Sequence, residues 1–379
     1  MPTILSLPAE LLHQIADLVH ATHPKQYLGA VHRAFLPSSR RIAFRELRIR
    51  ANYFDDLAVT LGVFETYPEL GAYVLLAELH EQAYHYQTVA DVQKLLPLLS
   101  RLTSLSLDWT FATLLLDTAQ LTQLHFLTSL AFAEGDPPFS DVLTLDHYTN
   151  LDALPSLHTL SLHDPRGRFP RSNTSSSDPP PTPLWPTRIK SLSLSAATPG
   201  NALSIIRACT SLDSLSLLQG WGPAVNLTKT LAALPAQARN SLRAFTFSPS
   251  ESVPHLREAL AAFRHLDSLH IQIRRDVSPS LVGILPLPRL SSLLFSPAAH
   301  ASQGYSDALP QFEEVETLLA DPAVLPRLRY LALDDTTPGA AHRARRSGEP
   351  SRGDALISLA KQRGVVLGGK FGEWAATQE

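Results

Sequence analysis

A short apolar phrase, Leu-x-x-Leu-x-Leu, returns in order along most of this chain, and few folds accept such a pattern. It reads Leu102-Leu105-Leu107, Leu127-Leu130-Phe132, Leu157-Leu160-Leu162 and Ile189-Leu192-Leu194. It continues as Leu212-Leu215-Leu217, Leu242-Phe245-Phe247, Leu266-Leu269-Ile271, Leu290-Leu293-Phe295 and Leu328-Leu331-Leu333. The last two apolar positions of each copy are two residues apart, which places them on one face of a short strand. A single strand with its connection cannot bury that face, whereas stacked copies can. Ordered recurrence therefore predicts a stacked repeat architecture.

Steps between equivalent residues run from 23 (Leu192 to Leu215) to 32 (Leu160 to Leu192), with a last step of 38 (Leu293 to Leu331). Between the phrases the apolar spacing turns helical, at Val89 to Leu96, Ala202 to Arg207, Val253 to Phe263 and Phe312 to Leu319. Glu313, Glu314 and Glu316 suit the positive end of the last of these. Weaker copies, Phe44-Leu47-Ile49 and Leu70-Tyr73-Leu75, extend the array toward the N-terminus. At the other end, Ala355 to Arg363 reads as a helix and Gly364-Val365-Val366-Leu367 as a closing strand. The pattern resembles the leucine-rich repeat family over roughly three quarters of the chain. The resemblance implies an α/β solenoid, with a parallel sheet on its concave face and helices on its convex face. One departure stands out. The Asn that commonly follows each strand is replaced by Thr110, Gly135, Pro165, Ala197 and Gly220, so a regular asparagine ladder is not expected.

The first residues keep a different rhythm. Leu5 to Val19 reads as an amphipathic helix with Ser6 or Leu7 at its mouth and Pro8 in its first turn. Leu11, Ile15 and Leu18 form one stripe at helical spacing, with Leu12 and Val19 beside it. A second short helix covers Tyr27 to Phe35, and Pro37 restarts the chain for a third segment through Phe44. Three short helices led by Leu7-Pro8-x-Glu10-Leu11-Leu12-x-x-Ile15 resemble an F-box, with Leu28, Val31, Arg33, Phe35 and Ile42 also in register. His32 stands where Cys or Ser is more frequent, and Phe44 where Trp is frequent. The resemblance implies docking on the Skp adaptor of a cullin–RING ubiquitin ligase through Leu7, Pro8, Leu11, Leu12, Ile15, Leu28, Val31 and Phe35. The domain reading is an F-box-like helical unit over 1–45 and the repeat array over 46–379. The alternative is an interaction scaffold with no ligase role, whose N-terminal helices cap the first coil.

Composition bounds the function. With 32 basic against 35 acidic residues and a formal charge of −3, no global field draws the chain to nucleic acid or acidic membranes. Cys209 is the sole cysteine, so no internal disulfide and no zinc site needing two thiolates can form. The start lacks a signal-peptide pattern, and no apolar run approaches the ~20 residues of a membrane span. These features place the protein in the cytoplasm, the nucleus or both.

Two segments interrupt the repeats. Residues 165–186 combine Arg, Ser and a proline run, and residues 336–353 carry Arg343, Arg345, Arg346 and Arg352. Both read as mobile inserts too poor in apolar residues to order themselves. No catalytic constellation emerges. Gly364 to Lys370 mimics a phosphate-binding loop, but Phe371 stands where Ser or Thr would hold magnesium, and too few residues remain for a following helix. His80 and His85 are one residue too far apart for a metalloprotease helix. The chain is expected to be a non-enzyme with no cofactor and no metal.

The outward positions of the strands are the expected target surface. They include Ser104-Ser106-Asp108, Thr159-Ser161-His163, Ser191-Ser193-Ser195, Ser214-Ser216, Ser268-His270-Gln272 and Tyr330-Ala332-Asp334. Larger groups stand in the loops beyond, namely Trp109, Trp221 and Arg274-Arg275. Trp and Arg are common anchors of interfaces. Trp109, Ser216, Trp221, His270, Arg274 and Arg275 are therefore the candidate contacts for a protein target.

Overall fold

The computed structural model describes residues 8–22, 35–51, 55–81, 86–108, 111, 121–133, 150–164, 188–196, 205–207, 209–219, 231–247, 260, 263–273, 287–297, 312–333 and 352–376. Among the described residues, twelve strands, β1 to β12, follow one another in chain order in a parallel sheet. They are β1 (Glu46–Ala51), β2 (Leu76–Glu81), β3 (Ser104–Asp108), β4 (Ser129–Ala133), β5 (Thr159–Asp164) and β6 (Ser191–Ala196). The rest are β7 (Ser214–Gln219), β8 (Ala244–Phe247), β9 (Ser268–Ile273), β10 (Ser292–Pro297), β11 (Tyr330–Leu333) and β12 (Val366–Gly368). Helices are α1 (Ala9–Thr22), α2 (Leu36–Ala43), α3 (Asp55–Thr66), α4 (Tyr86–Leu95), α5 (Ala236–Ser241), α6 (Phe312–Ala320), α7 (Arg352–Arg363) and α8 (Gly369–Ala376). Parallel strands in strict sequence order, each reached through a helical or turned segment, make this a leucine-rich-repeat architecture. The chain forms two compact units, Met1–Ser161 and Leu162–Glu379.

In the first unit the phrases fall into register as their spacing requires. Leu105 pairs with Leu130 and Leu107 with Phe132, and all four are buried. Each phrase also extends backwards as a three-residue step: Leu96-Leu99-Leu102, Leu121-Leu124-Leu127 and Leu151-Leu154-Leu157 are buried throughout. An i→i+3 backbone bond closes each step, for example Leu99 N–H to Leu96 C=O at 3.1 Å and Leu124 N–H to Leu121 C=O at 3.0 Å. This is 3₁₀-type winding, in which residues three apart share one side. The weaker copy at Leu70 is displaced. Leu70 and Tyr73 lie in a 3₁₀ turn, and the phrase that pairs is Val74-x-x-Ala77-x-Leu79, with Ala77 against Leu47 and Leu79 against Ile49.

Most coils are tied together at the strand entrance. Two successive N–H groups converge on one carbonyl of the coil before: Thr103 and Ser104 on Leu75 O (2.9 and 3.0 Å), then Thr128 and Ser129 on Thr103 O (2.8 and 3.1 Å). Hydroxyls reinforce the column, with Thr103 Oγ1 donating to Leu75 O at 2.9 Å and Thr128 Oγ1 to Thr103 O at 3.0 Å. These bonds satisfy backbone groups at the strand entrance. The five positions where that Asn is missing lie outside the described residues.

The second unit repeats the scheme with aromatic variation. Phe245 pairs with Leu215 and Leu269, and Phe247 with Leu217 and Ile271. The Phe245 ring lies 5.3 Å from Phe247 and 6.3 Å from Phe263, stacked on both. Cys209 occupies the middle of the step Ile206-Cys209-Leu212, where other coils place Phe263, Leu287 or Leu325, and it is 1% exposed. Burial pushes its thiol from the ordinary 9.0 up to about 12, so it packs as a small apolar residue.

The end of the second unit is closed by helices. The Arg363 guanidinium donates to the carbonyls of Leu318 (3.2 Å) and Leu319 (3.1 Å) at the C-terminal end of α6, and to that of Leu325 (2.6 Å) in the turn beyond it. Gly364 then turns the chain at φ +65°, with Val365 N–H bonded to Ala360 O. α8 runs on directly from β12 and buries Phe371 and Ala375; the expectation that no helix could form after Gly368 is overturned. Eight residues beginning at a glycine suffice when they pack on β11 and β12.

Candidate functional site

Two surfaces carry the residues that the sequence singled out. The first is the N-terminal helix pair. Pro8 accepts the N–H groups of Leu11 and Leu12 at 3.1 Å and so opens α1. Leu12 (7% exposed) and Ala16 (3%) are buried, as are Phe35 and Ser38 at the start of α2. His13 Nδ1 hydrogen-bonds Ser38 Oγ, and Arg41 Nη2 meets Asp17 Oδ2 at 2.7 Å, so α1 and α2 are clasped twice. α2 also packs on the 3₁₀ turn Pro68–Tyr73. The other stripe of α1 is left outside: Leu11 is 42% and Leu18 67% exposed, with Ile15 partly exposed between them, and Leu36 adds 40%. Of the expected adaptor contacts, the described ones thus split into exposed Pro8 and Leu11, half-buried Ile15, and buried Leu12 and Phe35. Leu7, Leu28 and Val31, with most of the expected second helix, lie outside the described residues.

The second surface is the sheet face opposite the leucine core. In the second unit, one register row runs Ser193, Ser216, Thr246, His270, Leu294, Ala332, Gly368. The structure thus places the candidates Ser216 and His270 in the same row, two strands and about 10 Å apart. Ser216 is half-buried, and His270 Nε2 hydrogen-bonds Ser296 Oγ at 2.6 Å. Trp109, Trp221, Arg274 and Arg275 lie outside the described residues.

The face is less uniformly open than its serines imply. Asp108 is 2% exposed and Ser195 6%, and Ala332 is 2% exposed. The Asp108 carboxylate meets His80 Nδ1 at 2.8 Å across neighbouring strands, because a buried carboxylate needs a donor close by. On β1 and β2 the same face is charged, with Arg48 joining Glu46 (3.2 Å) and Glu78 (3.5 Å). These pairs are exposed and contribute little stability.

Two features of the second unit go beyond the six candidate contacts, although Tyr330 was among the expected outward positions. The turns that lead into β9, β10 and β11 carry arginine near the first leucine of the phrase: Arg264 two residues before Leu266, Arg289 and Arg327 directly before Leu290 and Leu328, and Arg329 just after Leu328. All four are exposed, and across β9, β10 and β11 only Asp267 opposes them at these positions. Arg289 Nη1 donates to His265 Nδ1 at 2.9 Å. The signal was present, since Leu287-Pro288-Arg289-Leu290 recurs as Leu325-Pro326-Arg327-Leu328. Beside it, Tyr330 (37%) and Val366 (62%) pair in register and stay exposed, where other strands carry serine. Tyr330 lies over Gly368; a Cβ there would fall 2.1 Å from the phenol oxygen.

Among the described residues, no group of three or more His, Cys, Asp or Glu is placed to hold a metal. No helix among them is long and apolar enough to cross a membrane. No family model matches the chain, and no curated protein sequence matches it. Among solved structures, the leucine-rich repeat-containing protein LegL7 from Legionella pneumophila is similar at 16% identity, over 86% of this chain and 91% of that one, with a TM-score of 0.44.

Proposed function

We propose that this chain is a non-catalytic, intracellular target receptor. In this reading the N-terminal helices dock on the Skp adaptor of a cullin–RING ubiquitin ligase, and the repeat sheet holds a protein target for modification by other subunits. One observation carries the reading. α1 buries Leu12 and Ala16 against its own unit yet leaves Leu11 and Leu18, on another stripe, in solvent. A helix that served only as a cap would turn its whole apolar surface inward, since exposed leucines gain nothing from water. An adaptor groove would cover that stripe, as amphipathic helices are received elsewhere.

A scaffold without ligase role is the second reading, and the packing of α2 on the turn Pro68–Tyr73 favours it, because that contact is what a cap makes. The two divide on one measurement. Co-purification of the full chain with the Skp adaptor is expected for the wild type and not for Leu11→Asp with Leu18→Asp. Both positions are exposed, so the variant keeps its fold, which circular dichroism checks. Adaptor binding by neither protein leaves the scaffold reading; undiminished binding by the variant removes α1 from the interface.

A further inference from the structure

We infer that the strand-entrance side of β10–β12 is the target-binding surface and that its ligand is an extended acidic peptide segment bearing one bulky apolar residue. This rests on the receptor reading above and names the chemistry of its target. Three observations converge. Arg289 and Arg327 occupy equivalent places in neighbouring coils, about 5 Å apart along the stack, and Arg329 stands two residues beyond Arg327; all three are exposed. No ion pair to any of them is found among the described residues. Like charges on adjacent rungs are unfavourable until an anion lies between them. The chain as a whole is negative, at −3, so this concentration of positive charge is local.

The same rungs carry the apolar half of the surface. Tyr330 and Val366 face outward side by side, and half-buried Leu294 lies in the next row on β10. Gly368 leaves the space in which the Tyr330 ring rests, so the ring is held along the sheet as a ready platform. Tyr and Arg are the side chains that most often anchor protein contacts. A nucleic-acid duplex would use the arginines but gain little from Val366 and Leu294, because its outer surface is phosphate and sugar. An extended peptide rises about 3.3 Å per residue. A phenylalanine or leucine on Tyr330 thus brings carboxylates two or three residues away to Arg327 and Arg329.

The probe is a short fluorescent peptide with glutamates preceding a single phenylalanine, titrated by anisotropy into the full chain. Binding is expected to weaken with salt and to fall at least tenfold when the probe's glutamates become glutamines or its phenylalanine becomes serine. Arg327→Glu with Arg329→Glu should weaken it by more than tenfold, about 1.4 kcal/mol or more. Gly368→Ala, which lifts the Tyr330 ring, should weaken it less. No binding, equal binding of oligothymidylate, or indifference to the arginine substitutions overturns the inference. A second copy of this chain on the face would appear as a concentration-dependent dimer in sedimentation, lost in Tyr330→Ser, and also overturns it. Adaptor co-purification on the same samples keeps the two claims apart. A peptide failure with adaptor bound sinks this inference alone, and adaptor loss with peptide retained sinks the ligase reading alone.

Discussion

Cys209 offers a sharp test of whether the leucine steps are a continuous core, because it is the only thiol in the chain. It fills a place that Leu99, Leu124, Leu154 and Leu325 fill in other coils, and it is 1% exposed. Burial pushes the thiol from 9.0 to about 12. Reaction with a disulfide reagent needs the thiolate, so the raised value thins the thiolate at neutral pH and slows the reaction. Exclusion of the reagent by packing slows it further. The proton linkage gives a second readout. Between pH 9 and 12 the unfolded thiol has lost its proton while the folded one keeps it, so the folded state binds more protons. Stability from this group is fully present below pH 9 and falls by about 1.4 kcal/mol per unit as pH rises through that window. The assay is thiol labelling with and without urea, beside urea melts at rising pH for wild type and Cys209→Ala. A native labelling rate within tenfold of the unfolded rate would refute the burial argument. So would an alkaline slope unchanged in Cys209→Ala.

Three further outcomes follow from the packing. Leu130→Ala, at a site with 0% exposure, should cost about 2–5 kcal/mol in urea denaturation, whereas Ser129→Ala on the opposite face should stay within about 0.5 kcal/mol. Thr103→Val removes the hydroxyl that bonds Leu75 O at 2.9 Å while keeping the shape, and should cost about 0.5–1.5 kcal/mol. Arg363→Met removes the donor to two carbonyls at the end of α6 and to Leu325 O in the turn beyond it, and should cost about 2 kcal/mol and raise amide exchange in Leu318 to Leu325.

The strands were legible because their signal is periodic and repeated. Every regular phrase from Leu102 to Leu333 became a strand with its paired residues buried. The expected helix over Phe312 to Leu319 and the closing strand also stand within a residue or two of their places. Where small residues substitute, the phrase hid: Val74-Ala77-Leu79 was passed over for Leu70-Tyr73-Leu75, which has larger side chains but lies four residues away. The depth of Asp108 was invisible, because its burial depends on His80, 28 residues earlier. In α1 the spacing revealed two neighbouring apolar stripes. It could not say that Leu12 would turn inward and Leu11 outward, since that choice is made by α2.

Repeat lengths that vary from 23 to 38 residues would misalign a fold whose coils were matched along their whole length. They do not, because the constant part is confined to the arc leading into each strand: the three-residue steps, the paired N–H groups on the preceding carbonyl, and then the two buried strand residues. All inter-coil polar bonds just described fall within that arc, so length changes after the strand leave register untouched. The consequence reaches the proposed ligand surface. Arg289 and Arg327 sit inside the constant arc, one residue before Leu290 and Leu328, on backbone closed by Leu290 N–H to Leu287 O (3.2 Å) and Leu328 N–H to Leu325 O (3.3 Å). Their spacing is set by the stack and survives the insertion between them. Lengthening the segment between β10 and β11 by a few glycines should therefore leave peptide affinity within about threefold, since loop closure grows only slowly with length. A large loss would show that the two arginines are positioned by the insert and not by the arc.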